Sequence, residues 1–380
     1  MRIAIALLAM AVGAAQAQEH HHHPEEGALQ WVADPWTFSL HGFANAVIDH
    51  QGGPRGADET FSNSMLMATA LRPAASGILE LHGMLSLDPL MGRTGYPLLF
   101  QTGETANGIN HLVDRQHPHD FFMELSARYT RPLDASSSAF IYAALPGEPA
   151  LGPPAFMHRA SGERIPEAPL THHWLDSTHI TFGVVTAGYT RGPWTFEASR
   201  FNGREPDEMR WDIETGSLDS SSGRITYAPM PGLSMQVSYG FLHDIEEDQR
   251  NVSVHRVTAS LSWETQAWGR PWATTVAWGQ NDKVDRHFRH QLPGWLFETT
   301  LEPVPGITTF LRAERFKHDE FSFVVPFGKV SAGLIADLGR TGPVRWGVGG
   351  LASYLRPPNE LQFFYGDHPI GWMLFLQARL

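Results

Sequence analysis

The sequence contains no cysteine, which excludes disulfides, iron–sulfur clusters and thiolate metal sites. Charged residues make up only 18% of the chain, and the net charge is −12. A nucleic-acid-binding surface needs a basic footprint, so this balance argues against such a partner. Long apolar runs are also absent. Residues 225–243, the longest uncharged run beyond the N-terminus, are interrupted by Pro229, Pro231 and Gly232, so no membrane-spanning helix is predicted.

The first residues have the pattern of a secretory signal peptide. Arg2 supplies the positive charge, residues 3–12 supply the apolar stretch, and Ala15-Gln16-Ala17 is a small-residue cleavage motif. We therefore expect residues 1–17 to be a signal peptide and the chain to be exported.

The export signal is followed by a polar, histidine-rich segment at residues 18–34. It contains the tract of four histidines at residues 20–23, flanked by glutamates. The rest of the chain, residues 35–380, shows no boundary in composition and is expected to form one domain.

Apolar and polar side chains alternate along much of that domain. Apolar residues occupy every second position of residues 121–129, 233–241 and 330–338. Alternate side chains of a strand face opposite sides, and a membrane barrel turns the apolar set to lipid and the polar set to its lumen. Several residues are accordingly predicted to face lipid on two strands: Leu79, Leu81, Phe121, Met123 and Leu125.

The connections between these segments alternate in length. Short turns with Pro or Gly lie at 72–77, 131–136, 190–193, 228–232, 265–271, 303–306 and 339–343. Longer loops lie at 49–60, 89–118, 146–176, 202–217, 243–252, 281–293, 317–327 and 356–369. This order predicts an all-β antiparallel barrel of about 16 strands (roughly 14 to 18), with both termini on the short-turn side.

The C-terminus ends in an alternating row of outward apolar residues. Its members are Trp372, Leu374, Leu376, Ala378 and Leu380. The row resembles the C-terminal strand of bacterial outer-membrane proteins, which commonly ends in Phe. Together with the strand and loop pattern, it makes the chain similar to Gram-negative, porin-like outer-membrane barrels. That resemblance implies the bacterial outer membrane as location, contact with outer-membrane lipid, periplasmic short turns and extracellular long loops.

A row of polar residues is predicted to face the lumen on the two strands that flank loop 89–118. Its members are Glu80, His82, Asp88, Asp120, Glu124 and Arg128. One simple register pairs Glu80 with Arg128, which is favourable, and Asp88 with Asp120, which needs a cation or a histidine for compensation. The row is either a dedicated cation or substrate path, or the ordinary charged lining of a water-filled barrel.

Histidine is abundant, with 20 residues, and several lie in the two longest loops. Imidazole and carboxylate groups are ligands that suit Zn²⁺, Cu²⁺ or Ni²⁺. The predicted metal ligands are His111, His117, His119, Asp120, His172 and His173. The alternative is a set of solvated loop histidines. No fixed zinc signature occurs, and no cofactor is required for diffusion through a pore.

The sequence therefore favours a porin-like channel for small hydrophilic solutes, with transition-metal cations or their complexes as candidates. The rivals are a closed metal-binding or scavenging barrel, a scaffold barrel around an electron carrier, and a surface hydrolase. No G-x-S-x-G nucleophile motif is present, so no enzyme activity is expected. The two longest loops are the candidates for a constriction, and the sequence leaves the oligomeric state open.

Overall fold

The computed structural model describes residues 29–245, 252–320 and 323–380. Its strands are β1 (Leu29–Ala33), β2 (Trp36–Gln51), β3 (Asp58–Ala74), β4 (Gly77–Leu85), β5 (Tyr96–Thr105), β6 (His111–Gln116), β7 (Phe122–Pro132), β8 (Ser137–Gly147), β9 (Thr181–Arg191), β10 (Trp194–Phe201), β11 (Ser220–Met230), β12 (Leu233–His243), β13 (Ser253–Ala267), β14 (Arg270–Val284), β15 (Arg289–Val304), β16 (Ile307–His318), β17 (Val325–Thr341), β18 (Val344–Arg356) and β19 (Ile370–Arg379). The expected signal peptide and the histidine tract at residues 20–23 lie outside the described residues.

In the residues that the structure describes, helical structure is confined to single turns in the connections. These are 3₁₀ turns at Asp88–Met91, Phe156–His158, Ser177–His179 and Asn359–Leu361, with α1 (His172–Leu175) and α2 (Gln362–Tyr365). None of the described helices is long and apolar enough to cross a membrane.

Sixteen strands, β2–β4 and β7–β19, form one closed antiparallel sheet. The barrel closes where β19 pairs with β2, from Gly371 opposite Gln51 to Arg379 opposite Phe43. The short strand β1 pairs with the first residues of β2 along the same edge, so ordered sheet begins inside the segment assigned from sequence to a polar N-terminal region. The predicted fold class and strand number are confirmed.

The predicted turns and loops occur in the expected order, but two differ in extent. The predicted loop 281–293 is reduced to residues 285–288 between β14 and β15, and the predicted loop 89–118 contains β5 and β6. The turn between β13 and β14 consists of Trp268 and Gly269, with φ angles of 53° and 71°. Two successive positive φ values are the mark of a type I′ turn, whose twist matches that of the flanking strands. The barrel sequence begins and ends at this short-turn rim, because Thr37 pairs with Leu71 near the β3–β4 turn and Arg379 pairs with Arg345. The predicted topology is therefore present.

The outer surface of the barrel is apolar. On β12, Val237 and Tyr239 are 58% and 49% exposed, while the alternating Gln236 and Ser238 are buried in the interior. The same alternation places Leu374 on the outside of β19. A closed sheet with an apolar outer face and a polar inner face is the architecture of a transmembrane β-barrel.

The prediction that Met123 faces lipid is wrong. The pairing of β4 with β7 shifts between Met84 and Leu85, which face Glu124 and Phe122, so Met123 is left over as a bulge residue. A bulge reverses the alternation beyond it, and Met123 is completely buried in an interior apolar cluster.

Phe121, on the outer side of the same bulge, also departs from its predicted contact with lipid. Its ring stacks on Trp211 of loop 202–219, with ring centroids 5.5 Å apart. The backbone N–H of Phe121 also donates a hydrogen bond to the carbonyl oxygen of Arg210 in the same loop.

Two long loops fold into the barrel. The hairpin loop (residues 86–121) contains the separate two-stranded sheet β5–β6. The lumen loop (residues 148–180) is mostly buried and crosses the interior. Its backbone is bound by the wall on several sides: Ser199 on β10 accepts from the Ala150 N–H at 2.8 Å, and Asn63 on β3 donates to the Pro166 carbonyl at 2.8 Å. The interior of the barrel is therefore largely occupied by its own chain.

Candidate functional site

Buried ion pairs attach the lumen loop to the wall. Arg159 donates to Glu298 on β15 at 2.6 Å and to Asp176, further along the loop, at 2.6 Å. Arg312 on β16 donates to the other oxygen of Glu298 at 3.1 Å. The side chains of Arg159, Arg312 and Glu298 are at most 1% exposed. The attraction between their charges is therefore screened very little by solvent.

A second anchor lies further along the lumen loop. Lys329 and Ser331 of β17 donate to the two carboxylate oxygens of Glu167 at 2.6 and 2.7 Å. The Thr171 backbone and hydroxyl both donate to Glu314 at 2.8 Å. The loop segment that leads into α1 is thus fixed on both sides.

The inner part of the predicted lumen row lies where it was expected. Glu80 faces Arg128 across β4 and β7, and Met84 faces Glu124. Glu80 is 2.5 Å from the Nε2 of His82, and Glu124 accepts a hydrogen bond from Tyr142 at 2.9 Å. Four members of the row line a cavity of about 120 Å³: Glu80, His82, Glu124 and Arg128. Their role in selectivity stays a prediction.

The outer pair of the row, Asp88 and Asp120, does not form the predicted register contact. Asp88 lies on a 3₁₀ turn and contacts the Nδ1 of His119 at 2.8 Å, while Asp120 accepts from Arg210 at 3.3 Å. The bulge beside Met84 ends the pairing before these positions. Each carboxylate is instead compensated by its own basic partner, which removes the repulsion that a direct pair would create.

Five histidines meet in the interior, where the hairpin loop touches the lumen loop. We call this group the imidazole cluster: His117, His119, His172, His173 and His179. The ring centroids of His119 and His179 are 5.4 Å apart, and those of His172 and His179 are 4.9 Å apart. His173 lies 5.7 Å from both His117 and His172.

Acidic and carbonyl oxygens orient three of these rings. The Nδ1 of His119 is 2.8 Å from Asp88, and the Nδ1 of His172 is 2.9 Å from the Asp176 carboxylate. The Nδ1 of His179 is 2.9 Å from the Asp176 backbone oxygen. An Nδ1–H donor in each contact leaves Nε2 as the free lone pair. The Nε2 atoms of His119 and His179 are buried with no hydrogen-bond partner in the described part of the chain.

The other two rings face glutamates of two loops. The Nε2 of His117 is 3.0 Å from Glu104, and the Nδ1 of His173 is 3.4 Å from Glu205. Glu104 also contacts Arg210. This half of the cluster is therefore compensated by an ion-pair network that joins the hairpin loop to loop 202–219.

Burial favours the neutral form of the imidazoles in these loops. It lowers the pKa of His117 and of His179 well below the ordinary value. It also lowers the pKa of His172, against the charge of Asp176, which acts in the opposite direction. Neutral rings are the form that can ligate a metal ion.

The structure unites four of the six predicted metal ligands: His117, His119, His172 and His173. His111 lies apart, 3.0 Å from Glu320, and Asp120 is held by Arg210. Sequence reasoning left out His179, because no spacing rule relates it to His119 on the other loop. Within the described ranges no group of three or more His, Asp or Glu side chains is placed to hold a metal ion.

Three cavities adjoin the imidazole cluster. The largest, about 120 Å³, is lined by His179 and reaches towards the short-turn rim at Arg128. A cavity of about 60 Å³ is lined by His173 and by residues of the outer loops such as Glu320. A cavity of about 20 Å³ is lined by His119 and Asp88. The cluster thus separates an outer space from an inner one.

Several solved structures share this fold. The anion-selective porin from Comamonas acidovorans aligns with a TM-score of 0.55 and 10% identity over 91% of this chain and 100% of that chain. Salmonella typhi OmpF, in complex with daunomycin, gives 0.55 and 9% over 93% and 100%. The trimer form of in-vitro folded OmpT from Vibrio cholerae gives 0.53 and 7% over 91% and 100%. The chain therefore has the 16-stranded fold of outer-membrane porins, in agreement with the predicted location.

Comparison of the amino-acid sequence with known proteins does not assign the chain to a family. No family model matches the chain. A curated relative, 1-deoxy-D-xylulose-5-phosphate synthase of Rhodococcus jostii (strain RHA1), is 31% identical over 128 residues, or 33% of this chain. The match spans only 19% of that protein's length, so its synthase activity is not transferred to this chain.

Proposed function

We propose that the chain is an outer-membrane channel in which small polar solutes pass the lumen loop, with divalent transition-metal cations as one cargo class. The observation that carries this proposal is the position of the imidazole cluster between an outer and an inner cavity. A solute that moves directly from one of these cavities to the other would pass these rings.

The chemistry of the inner cavity favours cations. Its lining includes four glutamates, Glu80, Glu124, Glu148 and Glu197, against two arginines, Arg128 and Arg224. One of these arginines, Arg224, is paired with Glu197 at 2.9 Å. A narrow passage with an excess of carboxylates attracts cations and repels anions. The net charge of −12 acts in the same direction.

A closed metal-binding barrel is the second candidate. It is favoured by the extent to which the lumen loop fills the interior, where the cavity lined by Glu80 and Glu124 measures about 120 Å³. In that case the ion would enter from one side and remain. Conduction across a membrane separates the two functions.

The test is conductance of the purified protein in planar bilayers, with the reversal potential measured in a salt gradient. We expect cation-selective conductance that Glu124→Gln makes less selective, because the substitution removes a lining charge and keeps the side-chain shape. Glu360→Gln, at an exposed glutamate in the loop between β18 and β19, is the control and should leave selectivity unchanged. A parent protein without conductance would support the closed barrel, and unchanged selectivity in Glu124→Gln would remove Glu124 from the pathway.

The remaining predictions accompany this proposal. Diffusion requires no resident cofactor and no enzymatic step, and the partners are outer-membrane lipid and the solute itself. An oligomer is an expectation that the trimer form of Vibrio cholerae OmpT makes reasonable.

A further inference from the structure

Three rings of the imidazole cluster form a compact group. His179 lies 5.4 Å from His119 and 4.9 Å from His172, between ring centroids. The ring of Phe156 packs against all three, at 6.1 Å from His119, 5.6 Å from His172 and 6.4 Å from His179. The three imidazoles therefore pack in one place around a common aromatic neighbour.

The Nδ1 atom of each ring is occupied by an oxygen. The Nδ1 of His119 contacts the Asp88 carboxylate, and the Nδ1 of His172 contacts the Asp176 carboxylate. The Nδ1 of His179 contacts the Asp176 backbone oxygen. This is the pattern by which a second layer of oxygens fixes the tautomer and direction of metal-ligating histidines. Asp176 orients two of the rings at once, and Arg159 fixes Asp176 in turn.

The Nε2 atoms of His119 and His179 are buried and make no hydrogen bond with the described residues. Buried polar atoms without a partner are rare in folded proteins, and each one needs a physical explanation. A bound cation supplies one, because two unpartnered lone pairs on rings whose centroids are 5.4 Å apart can both donate to a Lewis acid.

We propose that His119, His172 and His179 bind one divalent transition-metal ion through their Nε2 atoms. Three neutral imidazoles suit Zn²⁺, Cu²⁺ or Ni²⁺, and a fourth position is left for water or for a passing ligand. The described side chains do not form a group placed to hold a metal ion, so binding requires the three rings to shift towards one another while each keeps its Nδ1 contact. The His119 side chain is 12% exposed and borders the 20 Å³ cavity, which gives it room to move.

This inference deepens the proposed function, because it names the place where a cargo cation would pause. His179 is a new member of the ligand set, whereas His111 and Asp120 are excluded from it by their pairing with Glu320 and Arg210. Asp88 and Asp176 are positioning residues that act through the rings.

The test uses the full chain with the four histidines at residues 20–23 replaced by alanine, so that the N-terminal tract cannot bind the probe. Calorimetric titration with Zn²⁺ should show one saturable site per chain. His179→Ala and His119→Ala should weaken it by more than tenfold. Asp88→Asn should weaken it by roughly 10- to 100-fold, since it loosens the orientation of His119. His243→Ala, an exposed histidine at the outer end of β12, is the matched control and should bind like the parent.

A spectroscopic readout covers the case in which an alanine variant fails to fold. The parent titrated with Co²⁺ should develop the intense visible bands of a four-coordinate site with nitrogen ligands. Absence of saturable Zn²⁺ binding, a weak six-coordinate Co²⁺ spectrum, or parent-like affinity in folded His179→Ala would each overturn the proposal. Conductance of the same preparation keeps the two proposals apart: binding without conductance rejects the channel alone, and conductance without binding rejects the site alone.

Discussion

The substitution Glu298→Gln should release the lumen loop from the barrel wall. Within the described residues, Glu298 is the acidic side chain that accepts from both Arg159 of the loop and Arg312 of β16. Glutamine keeps the volume and one acceptor oxygen but removes the negative charge. Its NH₂ group must then face a guanidinium, and two donors cannot bond to each other.

The structure sets the magnitude. Glu298 and Arg312 are fully buried and Arg159 is 1% exposed, so loss of one partner leaves positive charge without screening. Removal of one partner from a buried ion pair costs about 3–5 kcal/mol. The strands of the wall are held by continuous backbone ladders, whereas the loop is held mainly by side chains. The cost therefore falls on the closed position of the loop and raises the open population roughly a hundred- to several-thousand-fold.

Glu302→Gln is the matched control on the same strand. Its partner Arg270 is 3.8 Å away, and the two side chains are 28% and 36% exposed. Exposed pairs of this kind contribute about 0–1 kcal/mol. The comparison isolates burial, because strand, residue type and substitution are identical.

Two assays measure the release of the loop. Single-channel recordings should show a larger mean conductance for Glu298→Gln than for the parent or for Glu302→Gln. Trypsin added to folded protein should cut within the lumen loop, at Arg159 or Arg164, in Glu298→Gln alone. Parent-like conductance together with an uncut loop would show that the ion pairs do not hold the loop, and the reasoning from burial would fail.

Two further predictions concern the membrane face and acid. Leu81→Arg, on the outward face in the middle of β4, should lower the free energy of unfolding in lipid vesicles by about 2–4 kcal/mol. Leu133→Arg, at the short-turn rim, should lower it by about 0–1 kcal/mol. Equal losses in the two variants would contradict the assigned membrane face. Burial raises the pKa of Asp176, but Arg159, His172 and His179 together lower it by more, and the pKa lies below the ordinary 3.8. A carboxylate with a depressed pKa stabilises the fold above 3.8 and loses that contribution as pH falls further. The mean conductance should therefore rise as pH falls below about 4, and Asp176→Asn should abolish that rise.

The barrel itself was predictable from local patterns. Alternation of apolar side chains and the Pro/Gly turns report only on neighbours in sequence, and antiparallel strands joined by short turns need little more. Two-residue turns such as Trp268-Gly269 fall where the pattern placed them. The failure at Met123 has a local cause that alternation cannot signal, because one extra residue on β7 reverses the face without any change in composition.

The contents of the lumen could not be predicted in the same way. The hairpin β5–β6 lies within a segment for which the sequence predicts a loop. Strand β5 is buried on both faces, so its sequence does not alternate between apolar and polar residues. His119 and His179 meet only because two irregular loops fold towards each other inside the barrel. No periodicity relates residues of different loops. The sequence therefore indicated that histidines and carboxylates form the site, but not which of them meet there.

One chain of contacts connects the wall to the candidate metal site. Glu298 binds Arg159, Arg159 binds Asp176, and Asp176 orients both His172 and His179. Buried ion pairs add little net stability compared with apolar packing, so their use here is better explained by the positions they impose. A cation bound by these two rings and by His119 would tie the lumen loop to the hairpin loop. Ion binding and loop closure are then linked, and each must strengthen the other by the same free energy.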